Sequence, residues 1–206
     1  MSLSIQIVSK DTYKAIDEDY PYEQDLASIN SLLQKEGAQQ FVETSSKEAS
    51  ESRCAYSSFP EVFYAILCRL VAYGYAGISE LPPLQDGDSI YEDEILEEEM
   101  YMLRSHIISH SDSEGYFVPT EFAEPIIDDS IRGEALCSSF QALQELISCA
   151  SLIGINLEGN AVSDDEANNI NSTPQSHPYF AERISWFSLY EAMRISIESN
   201  SLVVFL

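Results

Sequence analysis

The chain has 206 residues, with 35 Asp and Glu against 10 Lys and Arg, a formal net charge of −25. A field of that sign repels nucleic acid and anionic lipid and attracts basic proteins and cations. Apolar residues at 45% and aromatics at 11% belong to a chain with a packed interior, which excludes a disordered acidic tail and leaves length for one core.

Leu3, Ile5 and Ile7 alternate with Ser4 and Gln6, the period of a half-buried strand. A polar, tyrosine-bearing stretch follows, where Pro21 disfavours helix. Leu26, Ile29, Leu32 and Leu33 recur at helical spacing, and Gly37 supplies a C-terminal stop. Thr44 to Arg53 is polar and serine-rich and reads as a solvated loop. Ser58-Phe-Pro-Glu61 has the pattern of a capping box opening an apolar helix through Val62, Ile66, Leu70 and Val71, with Gly74 placed to close it. Pro82-Pro83 and Asp86-Gly87-Asp88 break the chain. A second helix is expected from about Tyr91 to His106, with Leu96, Met100, Leu103 and Ile107 on one stripe.

Gly115 to Pro119 reads as a strand or extended loop. Ser138 caps a further helix through Phe140, Leu143, Leu146 and Ala150 that Gly154 ends. Glu158 to Pro178 is polar, with Ser163-x-x-Glu166 able to cap one short turn. Phe180 to Glu198 is apolar around most of a helix, and Leu202 to Leu206 reads as an interior strand. The expected architecture is α+β, a single globular domain over residues 1–206 with polar loops near 44–57 and 158–178. About four helices pack on a small sheet in which the N- and C-terminal strands pair.

The most apolar region, Val62 to Ile78, contains Arg69 and Gly74 and is too short to span a bilayer. Met1 to Lys10 lacks the basic start and apolar run of an export signal, and Cys54, Cys68, Cys137 and Cys149 show no metal-knuckle spacing. Reduced thiols in a cytoplasmic protein are expected, with no membrane partner.

Between Glu80 and Asp129 stand 15 acidic residues and one basic residue, Arg104. The densest run gives the candidate partner-binding set: Tyr91, Glu92, Asp93, Glu94, Glu97, Glu98, Glu99 and Tyr101. Acids in a first helical turn are favoured by the free amides there, which accounts for Glu92, Asp93 and Glu94. Glu97, Glu98 and Glu99 lie deeper and repel one another with no lysine three or four residues away. The run is either a solubilising face or a docking surface for a basic protein, with the tyrosines as anchors.

His106 and His110, four residues apart, could share a helix face and a metal, but a surface pair at the helix end satisfies the same spacing. Cys137 precedes a serine-capped helix whose amides could favour a thiolate, although no histidine is marked as its base. Glu191 projects onto the apolar face of the last helix and is expected to pair with Arg194. No nucleotide-cradling glycine motif and no EF-hand register occurs, so no cofactor is expected.

The leading expectation is a non-enzymatic, monomeric protein whose acidic face binds a basic protein, with inhibition of that protein as one outcome and nucleic acid excluded as a partner. Inhibitors of basic nucleases and mimics of nucleic-acid charge offer an analogy of charge alone. The rival expectation is a small hydrolase or metal-dependent enzyme that uses carboxylates with His106, His110 or Cys137 on loops.

Overall fold

Six strands form one mixed sheet in the order β2-β1-β6-β3-β5-β4. They are β1 (Ser2–Val8), β2 (Ser58–Pro60), β3 (Tyr116–Val118), β4 (Ile126–Ile127), β5 (Ala135–Ser138) and β6 (Leu202–Phe205). β3 and β5 run parallel, and every other pair is antiparallel. The expected pairing of the two terminal strands is present, with Ile5 opposite Phe205 and Val8 opposite Leu202. The computed structural model describes residues 2–9, 12, 22–43, 50–85 and 87–205. The stretch leading to Pro21, residues 44–49 of the serine-rich segment, Asp86 and Leu206 lie outside the described residues.

Strand alternation divides the interior into two cores. Leu3, Phe59, Phe117, Cys137, Val203 and Phe205 face a large one, and Val8, Tyr116, Val118, Leu136, Leu202 and Val204 face a smaller one. The smaller face is covered by α1 (Tyr22–Lys35) through Ile29, Leu32 and Leu33. Gly37, at φ +71°, ends that helix as its position suggests, and Ala38 N donates back to Leu33 O at 2.8 Å. The larger face carries α2 (Val62–Tyr75), α4 (Ser139–Cys149) and α6 (Phe180–Ser199), the last with 15 of its 20 residues buried. A helix buried all round is central rather than superficial, and Trp186 marks the depth by donating Nε1 to Leu146 O at 2.8 Å.

The structure corrects several expectations. Ser58–Pro60 is an edge strand on β1 instead of a cap, and Glu61 begins α2 with no side-chain capping bond. Gly74 lies inside α2, where a Cβ would come 3.0 Å from Cys149 Cβ; its role is close packing against α4, and Gly77 (φ +67°) ends the helix. The helix expected from Tyr91 to His106 is a 3-10 turn at Ile90–Glu92 followed by α3 (Glu94–Met102), stopped by Leu103 in the left-handed region. The polar 158–178 segment holds α5 (Asp164–Asn171), capped by Ser163 Oγ and anchored by buried Ala167 and Ile170. Six α-helices are thus present among the described residues. Ser138 does cap α4, and its hydroxyl also donates to Thr120 O at 2.7 Å.

Candidate acidic docking surface

Arg53, Arg69, Arg104, Arg183 and Arg194 pair with carboxylates, and Arg69 and Arg183 do so from buried positions. Of the ten basic residues, Lys10, Lys14 and Lys47 lie outside the described residues, leaving Lys35 and six arginines. Arg53 and Arg194 both reach Glu191, Arg69 reaches Asp93, Arg104 reaches Glu99, and Arg183 sits 3.9 Å from Glu166. Lys35 approaches Asp128 at 3.5 Å. Arg183 also donates to Thr173 Oγ1 and to the Ile153 and Gly154 carbonyls, and burial lowers its pKa. Among the described residues few cations remain for the exposed carboxylates, although Arg53 and Arg194 also reach exposed Asp164 and Glu198.

Helix α3 is held at both ends by such pairs. Asp93 caps it, Oδ1 accepting from Ile95 N at 3.1 Å and Leu96 N at 3.2 Å, while Oδ2 accepts from Arg69 Nε at 2.6 Å and Tyr73 Oη at 3.1 Å. Burial pushes this carboxyl up, but the Arg69 bond and the amide donors outweigh it and hold the pKa below its ordinary value. At the other end Arg104 turns back across the left-handed Leu103, its Nε donating to buried Glu99 at 2.9 Å. Leu96 and Glu99 face the body of the protein.

The residues expected to bind a partner therefore separate into two groups. Asp93 is committed to buried Arg69, and buried Glu99 to Arg104. Tyr91, Glu92, Glu94, Glu97, Glu98 and Tyr101 are exposed, the two tyrosines at 68% and 79%. Met100 and Leu103, expected on the apolar stripe, are exposed instead, as is Met102. Glu94, Glu97 and Glu98 fall within five residues, about 7.5 Å of helix axis. That is about one charge per 2.5 Å, against the 1.7 Å of duplex DNA.

The segment leaving α3 is fixed by one buried carboxylate. Glu145 accepts from Ser105 Oγ (2.8 Å), His106 N (2.7 Å), Ile107 N (3.0 Å) and Tyr75 Oη (3.0 Å). Burial raises its pKa, and the four donors oppose that shift.

The proposed metal pair is not on a helix face. His106 Nδ1 accepts from Ser138 N at 2.9 Å, which leaves Nε2 to donate to Ala123 O. His110 stacks on Phe117 at 4.2 Å and donates Nδ1–H to Ser111 O at 2.7 Å. Burial lowers both imidazoles to about 4, so they are neutral core groups and not the surface pair of a helix end. Among the described residues no group of three His, Cys, Asp or Glu is placed to hold a metal. Cys137 is fully buried on β5, where burial pushes its thiol well up and opposes the thiolate that the neighbouring cap suggested.

Glu191 is completely buried and pairs with Arg194 as its position indicates. It also binds Arg53, 138 residues away, through that residue's N, Nε and Nη2. No local pattern announces the second partner.

Fold and surface together define an α+β protein of strongly acidic exterior in which Arg53, Arg69, Arg104, Arg183 and Arg194 are engaged by carboxylates. No helix among the described residues is long and apolar enough to cross a membrane. The chain belongs to the family described as "Putative DNA-mimic protein", which it matches over residues 1–205. No curated protein and no solved structure matches it. The family corrects the partner expectation as drawn from charge, a basic protein at large with nucleic acid set aside. DNA enters the account as the molecule imitated.

Proposed function

We propose that this protein occupies the DNA site of a DNA-binding protein, presenting the outer face of α3 in place of a stretch of phosphate backbone, and so keeps that protein from DNA. Tyr91, Glu92, Glu94, Glu97, Glu98 and Tyr101 make the contact. Asp93 and Glu99 hold the helix in place without touching the partner. The observation that carries this reading is the separation of charge on α3: Asp93 and Glu99 are paired with arginines, while Glu94, Glu97 and Glu98 stand exposed at about one charge per 2.5 Å of axis, against 1.7 Å for duplex DNA. Membership of the DNA-mimic family supports it. Unbalanced carboxylates on a rigid helix steer a cationic DNA-contacting surface toward the protein, an effect of about 10- to 1,000-fold on association rate at low salt.

The test immobilises the protein and passes over it the DNA-binding fraction of a lysate from its source. A protein that is retained, released by added duplex DNA as well as by salt, and lost with Glu94→Gln, Glu97→Gln and Glu98→Gln together is the expected result. Retention that duplex DNA does not displace, or that survives the triple substitution, overturns the proposal.

A further inference from the structure

Beside α3 opens a cavity of about 140 Å³, reaching α2 on one side and residues 108–112 on the other. Tyr64 and Cys68 of α2 and Leu96 of α3 line its interior, and Tyr91, Met100 and Asp112 stand at positions that are exposed. Tyr91 thus belongs both to this cavity and to the acidic face. A cavity of similar size accepts a benzene molecule, so a single planar side-chain group is the right scale of occupant.

The polar atoms of the wall are unbalanced. Its two buried donors are already used: Tyr64 Oη donates to Ile107 O at 2.7 Å, and Cys68 Sγ points at the same carbonyl at 3.9 Å. At the mouth the exposed Tyr91 hydroxyl can donate or accept, and Asp112 only accepts. Asp112 carries an exposed carboxylate whose charge adds to burial in keeping Tyr64 and Cys68 protonated. His110, also on the wall, is buried with Nδ1–H committed to Ser111 O, and its Nε2 is packed beside Gly115, where a Cβ would come 3.0 Å from it.

We propose that this cavity receives an arginine side chain of the DNA-binding partner, its guanidinium paired with Asp112 and its flat face against the tyrosines. The occupant must be cationic, planar at its head and apolar along its stem, and must bring only donors. Arginine meets all four conditions, with N–H groups in excess of what Asp112 can accept. Guanidinium stacking on aromatic rings favours it over lysine, whose compact ammonium is more strongly hydrated. The inference rests on α3 as the docking face, since that contact is what brings a partner arginine to the cavity mouth. It adds a discrete anchor to an otherwise diffuse electrostatic surface, as interfaces with a few dominant residues require.

The experiment uses the isotopically labelled protein alone, titrated with N-acetyl-L-arginine amide and, separately, with N-acetyl-L-lysine amide. The imidazole nitrogens of His110 and the amides of Ala65, Cys68 and Asp112 are followed by NMR. Saturable shifts at these positions are expected with the arginine probe, at least about fivefold weaker with the lysine probe. Asp112→Asn should weaken the arginine probe about tenfold. Ala65→Leu, which adds bulk at a lining position, should abolish the shifts. Non-saturating shifts, shifts confined to residues 92–98, or equal binding by Asp112→Asn each overturn the proposal. No partner is present in this titration. The cavity can therefore fail while DNA-displaceable capture by α3 stands, and the capture can fail while the cavity binds its probe.

Discussion

Replacing Glu191 by alanine should cost the fold about 3 kcal/mol, and the structure sets that figure. Five donor contacts converge on this carboxylate: Arg53 N, Nε and Nη2 at 2.9, 3.2 and 2.7 Å, and Arg194 Nε and Nη2 at 3.1 and 2.8 Å. Breaking a buried ion pair by deleting one member costs about 3–5 kcal/mol because the other charge is stranded. The two guanidiniums keep 30% and 20% side-chain exposure, so water can partly rehydrate them, and the lower end applies. For a chain of this length about 3 kcal/mol lowers Tm by about 6–12 °C. Burial alone would raise the Glu191 pKa, but the Arg194 and Arg53 bonds outweigh it and hold the carboxyl below its ordinary value. The folded protein therefore takes up that proton later than the unfolded chain. The stabilisation is complete above the ordinary glutamate range and is lost as pH falls through the lower, folded value. Urea denaturation at several pH values should show Glu191→Ala destabilised at pH 7 with its deficit shrinking on acidification. A loss under about 1 kcal/mol at pH 7, or a deficit independent of pH, would refute the reasoning and mean that Arg53 and Arg194 find other partners.

Two further outcomes follow from groups near the acidic face. Glu99→Ala should lower Tm because Arg104 loses the carboxylate that closes α3, whereas Glu98→Gln should leave Tm unchanged or slightly raised by relieving repulsion with Glu94; thermal melts of the pair distinguish the two roles. The imidazoles of His106 and His110, held neutral by burial with pKa values of about 4, should show no titration in NMR spectra between pH 7 and about 5. Since the unfolded chain takes up those protons first, each should remove stability as pH falls from 6.5 toward 4, at no more than about 1.4 kcal/mol per pH unit.

The parts of the fold legible in the sequence are those fixed by local periodicity. The alternation at Leu3 to Ile7, the apolar circumference of Phe180 to Glu198 and the serine before α4 each specify their element without help from distant residues. What could not be read depends on partners far along the chain. α3 stops early because the amides of His106 and Ile107, which a continued helix would satisfy, are taken by Glu145 nearly 40 residues away. Ser58 looks like a cap until β1 claims its backbone. The same holds for the candidate site. The acidic run is visible as a run, but only the structure separates Asp93 and Glu99, paired with Arg69 and Arg104, from the carboxylates that remain outside. Asp112 and His110 gain their meaning from a cavity that spacing does not encode.

The position of β6 carries a consequence for how the chain reaches its native state. β6 lies between β1 and β3, so the sheet without it is two fragments, β2-β1 on one side and β3-β5-β4 on the other. Ile5 must find Phe205 across nearly the whole chain, a loop whose closure is slow and gains nothing until it is complete. During synthesis at about 5–20 residues per second, strand edges and apolar faces stay uncovered until residues 202–205 clear the ribosome. In that interval the net charge of −25 opposes self-association, because nascent chains that repel one another pair less readily through their open edges.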